Sequence, residues 1–284
     1  MLIKSIKTSL ASLCAGLAFA ASGSVLAADP GITDTTITLG MSAPFSGPNG
    51  AYGKEMKEGA LAYFAQLNAN GGINGKKVEL VTLDDGYETE RTVANTRKLI
   101  NEHKVFALMA FYGSSPTTEA MKLFSEAKTP LLGTISGAGS LRSPVNRYMF
   151  HLRASYADET EAIVNHMVAL GITNIAVFYQ NDAYGKAGLD GVTRALAELK
   201  LAPVATATVE RNSTDVKAAV DKLVPATPDA VVQIAAYAGS AAFVRAARKA
   251  GFGGTFYNVS FVGTQALADE LGKDGAGVVV SQVV

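Results

Sequence analysis

From residue 36 onward, short apolar runs alternate with longer stretches whose apolar residues recur on one helical face. Thr36–Gly40 reads as a strand. Lys54–Asn70 carries Met56, Ala60, Tyr63, Phe64 and Leu67 at the spacing of one helix face and is stopped by Gly71-Gly72. The unit recurs as strand 78–83, helix 89–102, strand 105–110, helix 117–127 and strand 131–134. A second series predicts helix 156–170, strand 175–179, helix 186–199, strand 204–209, helix 215–223, strand 230–235 and helix 240–250. Such alternation implies right-handed crossovers and parallel sheets covered by helices on both faces. The expected fold class is α/β, with two doubly wound parallel-sheet lobes. Between the series, Ser136–Arg153 is irregular and rich in Gly, Ser and Arg, which places the crossing near residue 150. The lobes are then 28–150 and 151–275, with 276–284 starting a crossover back to the first lobe.

Residues 1–27 break the pattern. Lys4 and Lys7 precede an apolar run, Leu10–Ala21, and Val25-Leu26-Ala27 fits a cleavage site. They read as an export signal peptide, the apolar run being shorter than the about 20 residues of a membrane span. Cys14, the single cysteine, lies inside that run after Leu13, where a lipid-attachment site would need a small residue. The exported chain would therefore have no thiol and no disulfide. Periplasm is the expected destination, and the same signal would also serve secretion.

Lys+Arg and Asp+Glu are both 25 among 284 residues, so the net charge is zero, and −2 once Lys4 and Lys7 are removed. Without a basic excess there is no electrostatic reason to expect nucleic acid. The hydrophobic fraction of 48% provides an ample core and argues against disorder.

In open parallel sheets, ligands bind beyond the carboxyl ends of the strands. The corresponding segments are Ala43–Gly53, Phe111–Pro116, Ile135–Ser140, Gln180–Gly185, Ala236–Ser240 and Tyr257–Ser260. They supply hydroxyls, small residues and tyrosines, and few groups suited to covalent chemistry.

Phe45-Ser-Gly-Pro48, Asn70-Gly-Gly-Ile-Asn-Gly-Lys76, Asp84-Asp85, Gly113-Ser-Ser115 and Ala183-Tyr-Gly185, in this order and spacing, resemble the leucine/isoleucine/valine-binding protein family of type I solute-binding proteins. The likeness runs from about Thr36 to the last residue. It implies two lobes that close over a small ligand, a branched-chain amino acid or a related small carboxylate or amide. The ligand is then delivered to an ABC permease, with the binding protein a monomer.

Ser114 and Ser115 stand where a strand ends and a helix begins, so their hydroxyls and the free backbone N–H groups suit a carboxylate. Either serine could instead be only an N-cap. The position matching Ser114 holds the ligand carboxylate in the resembled family, and the loop matching Ser136–Ser140 contributes further contacts, which points to Ala138 and Ser140. Tyr52, Tyr184 and Tyr237 match positions that wall or close the pocket, where a large apolar face with one polar tip covers a ligand. Surface or hinge packing is their alternative. Ser260 departs from the pattern, since amino-acid binders carry there an acidic residue that pairs with the ligand ammonium. A hydroxyl accepts a hydrogen bond but neutralises no charge. A ligand without an ammonium, such as an aromatic or keto acid, fits this departure. Asp182 would either compensate or cap its loop.

No cofactor and no metal are expected. His103, His151 and His166 show no ligand spacing, and neither a Gly-x-Ser-x-Gly elbow nor a P-loop occurs. Gly71–Lys77 follows a helix and precedes a strand, the reverse of a phosphate cradle, and reads as a helix stop. Gly251–Gly254 is likewise a stop, and Asp84-Asp85 reads as capping. Binding without catalysis is expected, with a ligand-sensing receptor module as the alternative and a secreted hydrolase behind it. The run Gly277–Val284 suits a buried strand, and the resembled family continues for roughly another third, so the chain reads as a fragment; were Val284 its true end, an unpaired apolar edge would favour aggregation and lobe closure would be expected to fail.

Overall fold

The computed structural model describes residues 29–283; the expected signal peptide, 1–27, lies outside them. The first sheet comprises β1 (Thr36–Ala43), β2 (Lys77–Asp84), β3 (Ala107–Met109), β4 (Leu131–Leu132) and β5 (Met149–Phe150). Its helices are α1 (Gly50–Ala69), α2 (Thr89–Asn101) and α3 (Ser114–Glu126). The second sheet comprises β6 (Ile175–Gln180), β7 (Ala205–Val209), β8 (Ala230–Ile234), β9 (Thr255–Asn258) and β10 (Val278–Val280). Around it lie α4 (Tyr156–Ala169), α5 (Ala183–Glu198), α6 (Lys217–Leu223), α7 (Tyr237–Lys249) and α8 (Thr264–Leu271).

The strand orders are β2-β1-β3-β4-β5 and β7-β6-β8-β9-β10, so both lobes have the same winding. Every paired strand is parallel, with Leu39 opposite Ala107 in the first sheet and Ile175 opposite Ala230 in the second. In each lobe the order reverses at the first strand, between β1 and β3 and between β6 and β8. That reversal splays the flanking loops and opens a crevice at the carboxyl ends. The strands β8 and most of β6 are buried on both faces, which explains their continuous apolar runs.

The two lobes share a core. One apolar cluster runs from Met41, Leu108 and Phe124 in the first lobe to Val177, Ile234 and Phe261 in the second. A separate cluster around stacked Phe178 and Phe243, 4.2 Å apart, belongs to the second lobe.

Several elements differ in length from the sequence expectation. Strand 105–110 contracts to Ala107–Met109 because Ala110 turns to φ +51°, and strand 131–134 stops at Leu132 before Gly133 at φ +62°. Helices α1, α3, α5 and α7 start about one turn earlier than the apolar periodicity indicates. Their first turns are built from Gly, Ala, Ser, Tyr and, in α3, Pro116, which carry no periodic signal. Gly185 shows why such residues stand there: a Cβ would overlap the Gln180 carbonyl oxygen, so only glycine lets α5 leave β6 this tightly.

Candidate functional site

The carboxyl ends of both sheets meet, and an aromatic junction fills most of the space between them. Phe261, following β9, is fully buried with its ring 4.2 Å from Tyr184, 4.7 Å from Tyr112 and 6.3 Å from Tyr87. Tyr156 at the start of α4 lies 5.2 Å from Tyr184. Burial pushes the hydroxyls of Tyr87, Tyr112 and Tyr184 well up, so all three stay protonated and neutral. Tyr87 Oη accepts from Gln180 Nε2 at 3.0 Å, whereas Tyr112 and Tyr184 Oη have no partner among the described residues.

Polar contacts bridge the lobes around this junction. Asp182 caps α5 through the Tyr184 and Gly185 N–H groups and also pairs with Arg211, whose Nη1 donates to Thr89 Oγ1 at 2.7 Å. Asn212 Nδ2 donates to the Gly86 carbonyl and to Glu88, and Asn49 Nδ2 donates to Asn212 Oδ1. On the first lobe, Asp84 and Asp85 tie the loops after β1 and β2. Asp85 accepts from Ser42 Oγ, Thr92 Oγ1 and the Tyr87 N–H. Burial raises the Asp84 carboxyl, but hydrogen bonds from Ser46, the Phe45 and Gly86 N–H groups and Arg91 outweigh it and bring it down to about 2.

Beside the aromatic rings a cavity of about 460 Å³ opens between the lobes. Its wall includes Tyr52, Thr134, Ile135, Arg153, Ser260 and Gln282. Of the residues expected from sequence, Tyr52 and Ser260 therefore meet here from opposite lobes. Ser114 is fully buried, its Oγ hydrogen-bonded to Ser136 Oγ at 2.8 Å rather than capping α3. Ala138 is buried beside that pair and its N–H donates to Ser136 Oγ. Ser115 accepts from the Ala183 N–H at 3.3 Å, and Tyr237 Oη accepts from the Ala51 N–H at 3.3 Å, so each joins the lobes. Tyr184 is inside the aromatic junction. Ser140 is exposed in the turn Gly139–Leu141, away from the cavity wall.

Sequence reasoning missed Thr134, Arg153, Glu159 and Phe261. Arg153 Nη2 donates to Ser260 Oγ, and the Ser260 N–H and Ser281 Oγ donate to Glu159 Oε1. Arg153 lies in the irregular crossing segment, where no periodicity marks a functional side chain. Only the packed lobes bring its charge beside Ser260, 107 residues away, so the sequence carried no signal for it.

Residues 36–283 match the family described as periplasmic binding protein. An amino acid binding protein of Pseudomonas aeruginosa is 28% identical over 240 residues, 83% of this chain and 63% of the relative. Leu/Ile/Val-binding protein homolog 7 of Brucella abortus is 26% identical, over 76% of this chain and 56% of the relative. A crystal structure from Rhodopirellula baltica, described as a possible leucine/isoleucine/valine-binding protein, superposes with a TM-score of 0.84 at 35% identity. It covers 88% of this chain and 69% of that one. A substrate-binding periplasmic protein from Ralstonia solanacearum gives 0.81 at 34% identity, covering 85% and 69%. The chain spans less than two thirds of the length of the Pseudomonas and Brucella relatives. With two like-wound lobes meeting at their carboxyl ends and this match along nearly all the described residues, the chain belongs to the periplasmic binding protein family.

Proposed function

We propose that this chain is the substrate-capturing component of an ABC-type importer. It takes up a branched-chain amino acid or a related small carboxylate or amide between its lobes in the periplasm and passes it to an inner-membrane permease. The observation that carries this reading is the cavity walled by Tyr52 of the first lobe and Ser260 of the second, flanked by hydrogen bonds that hold the lobes together. A ligand in such a place touches both lobes at once and so favours the closed form over the open one. The cavity size matches a small metabolite. The chemistry on its wall is hydroxyl, guanidinium, aromatic and, at Glu55, carboxylate, which suits recognition of a small polar ligand. Tyr52 and Ser260 are proposed to contact the ligand, with the buried Tyr184, Ser114 and Ala138 supporting the site from behind, while Ser115 and Tyr237 serve closure.

The test is a thermal melt with and without millimolar leucine, valine, glutamate, phenylalanine, benzoate and 2-oxo acids. A compound at about 100 times its dissociation constant adds about 2.7 kcal/mol, which raises Tm by roughly 5–10 °C in a protein of this size. At least one of these compounds is expected to do so. A cooperative melt that none of them moves would contradict the reading.

A further inference from the structure

Among the described residues that wall the cavity between the lobes, Arg153 is the one cation and Glu55 the one acid. No carboxylate among the described residues lies within 4.0 Å of the Arg153 nitrogens. Arg153 Nη2 donates to Ser260 Oγ, and Nε has no partner among the described residues. A hydroxyl satisfies a hydrogen bond and neutralises no charge, so the half-buried guanidinium stands uncompensated. Thr134 walls the same cavity from the first lobe; it is 1% exposed and its Oγ1 has no partner among the described residues. Tyr52 lies beside them: burial raises its hydroxyl, and the Arg153 charge acts in the opposite direction.

The nearby acids leave that charge unpaired. Glu159 does not wall the cavity; it is buried and its Oε1 is taken by the Ser260 N–H and Ser281 Oγ, while Oε2 has no partner among the described residues. Burial and the neighbouring Asp269 and Glu58 raise the Glu55 carboxyl, and Arg153 is not among the groups that act on it. Glu55 is thus open to a positive group of a ligand and Arg153 to a negative one. Ser114, the carboxylate holder expected from the sequence, is fully buried against Ser136 and does not wall the cavity.

Resting on the reading of this chain as a protein that captures a small ligand between its lobes, we propose that Arg153 is the residue that holds the ligand's carboxylate, so that a carboxylate binds in preference to the amide of the same shape. The carboxylate oxygens accept charge-assisted hydrogen bonds from the guanidinium and supply the negative charge that Ser260 lacks. An amide of the same shape offers one acceptor and no charge, and its NH2 group brings further donors toward an arginine. The preference concerns the carboxyl end alone: a ligand that also bears an ammonium and one that does not are both admitted.

Isothermal titration calorimetry near neutral pH with matched pairs tests this on the protein itself: leucine against leucinamide, phenylalanine against phenylalaninamide, 4-methylpentanoate against 4-methylpentanamide, and benzoate against benzamide. Both members of the first two pairs carry an amino group and neither member of the last two does, so each comparison changes the carboxyl end. In every pair with a member that binds, the carboxylate is expected to bind about tenfold or more tightly than the amide. Arg153→Gln is expected to bring the two within about threefold while the amide keeps its affinity. Arg153→Lys, which keeps the charge without the planar fork, is expected to retain a preference for the carboxylate. An amide that binds as tightly as its carboxylate, or a preference that survives Arg153→Gln, would overturn the inference and leave capture of a small ligand standing. Binding of none of the eight compounds would overturn both. The wild-type comparison of matched pairs decides the question even if a variant fails to fold.

Discussion

Tyr112 of the first lobe and Phe261 of the second lie 4.7 Å apart with their ring planes tilted by 32°. Neither ring is accessible to solvent, so this pair joins the lobes through an interior contact. Phe261→Ala would empty the centre of a cage formed by Tyr87, Tyr112, Tyr156 and Tyr184. Truncating a buried phenylalanine costs about 3–5 kcal/mol when the cavity cannot collapse. Because two lobes can separate, the expected cost is at the lower end, about 3 kcal/mol. Urea unfolding monitored by far-ultraviolet circular dichroism measures it, and a change below about 1 kcal/mol would show that the cage is not a stabilising contact.

Arg211 holds the second lobe to the first without lining the cavity. It pairs with Asp182, donates to Thr89 and lies with its guanidinium 5.2 Å from the Tyr87 ring centre. Arg211→Ala is expected to lower the population of the closed form by about 1 kcal/mol. For any compound that raises the melting temperature, the apparent Kd then weakens roughly fivefold. Calorimetric titration of the variant checks this. An unchanged Kd would mean that the latch does not act on closure.

The carboxylate pair at the end of β2 makes opposite contributions to acid stability. Asp84, held at about 2 against a usual 3.8, stabilises the fold above the usual value. This contribution is lost as pH falls from about 4 to about 2, and screening at its partly exposed position limits it to roughly 1 kcal/mol. Asp85 is raised by burial, against hydrogen bonds from Ser42, Tyr87 and Thr92, so its ionisation costs stability as pH rises above 3.8. Asp84→Asn is therefore expected to flatten the fall in stability below about pH 4. Denaturant melts between about pH 2 and pH 5 read the slope, and a steeper fall in the variant would reverse the assignment.

Two glycines in helices predict opposite outcomes. A side chain at Gly185 would overlap the Gln180 backbone, and Gly185→Ala is expected to lower stability by about 2 kcal/mol or more. Gly59 in α1 is exposed with open space around it, and Gly59→Ala is expected to raise stability by about 0.5–1 kcal/mol. Thermal melts of the two variants provide the comparison.

The winding of the fold could be read from sequence because strands and amphipathic helices alternate with different periods. What periodicity does not register is the first turn of a helix. Tyr52, Tyr184 and Tyr237 all sit in such turns, of α1, α5 and α7, which places them at the lobe junction. Short elements also escaped: β9 has 4 residues and β5 has 2, too few to show a repeat. At the site, Ser260 was identifiable as an uncharged residue in a position where a charge is expected. Its partner Arg153 was not, because the two are 107 residues apart and only the packed lobes bring them together. Phe261 escaped for the same reason, as one apolar residue after a short strand has no signature distinct from ordinary core.

Closure of the two lobes over a ligand is the central claim, and the distance between them measures it directly. Spin labels at Glu90→Cys in α2 and Lys217→Cys in α6, both exposed and on different lobes, would be introduced with Cys14→Ser. Pulsed dipolar spectroscopy would then be recorded with and without a saturating compound that raises the melting temperature. The account predicts a broad distribution without ligand that narrows and shortens when the ligand is added. An identical distribution in both states would contradict capture by closure.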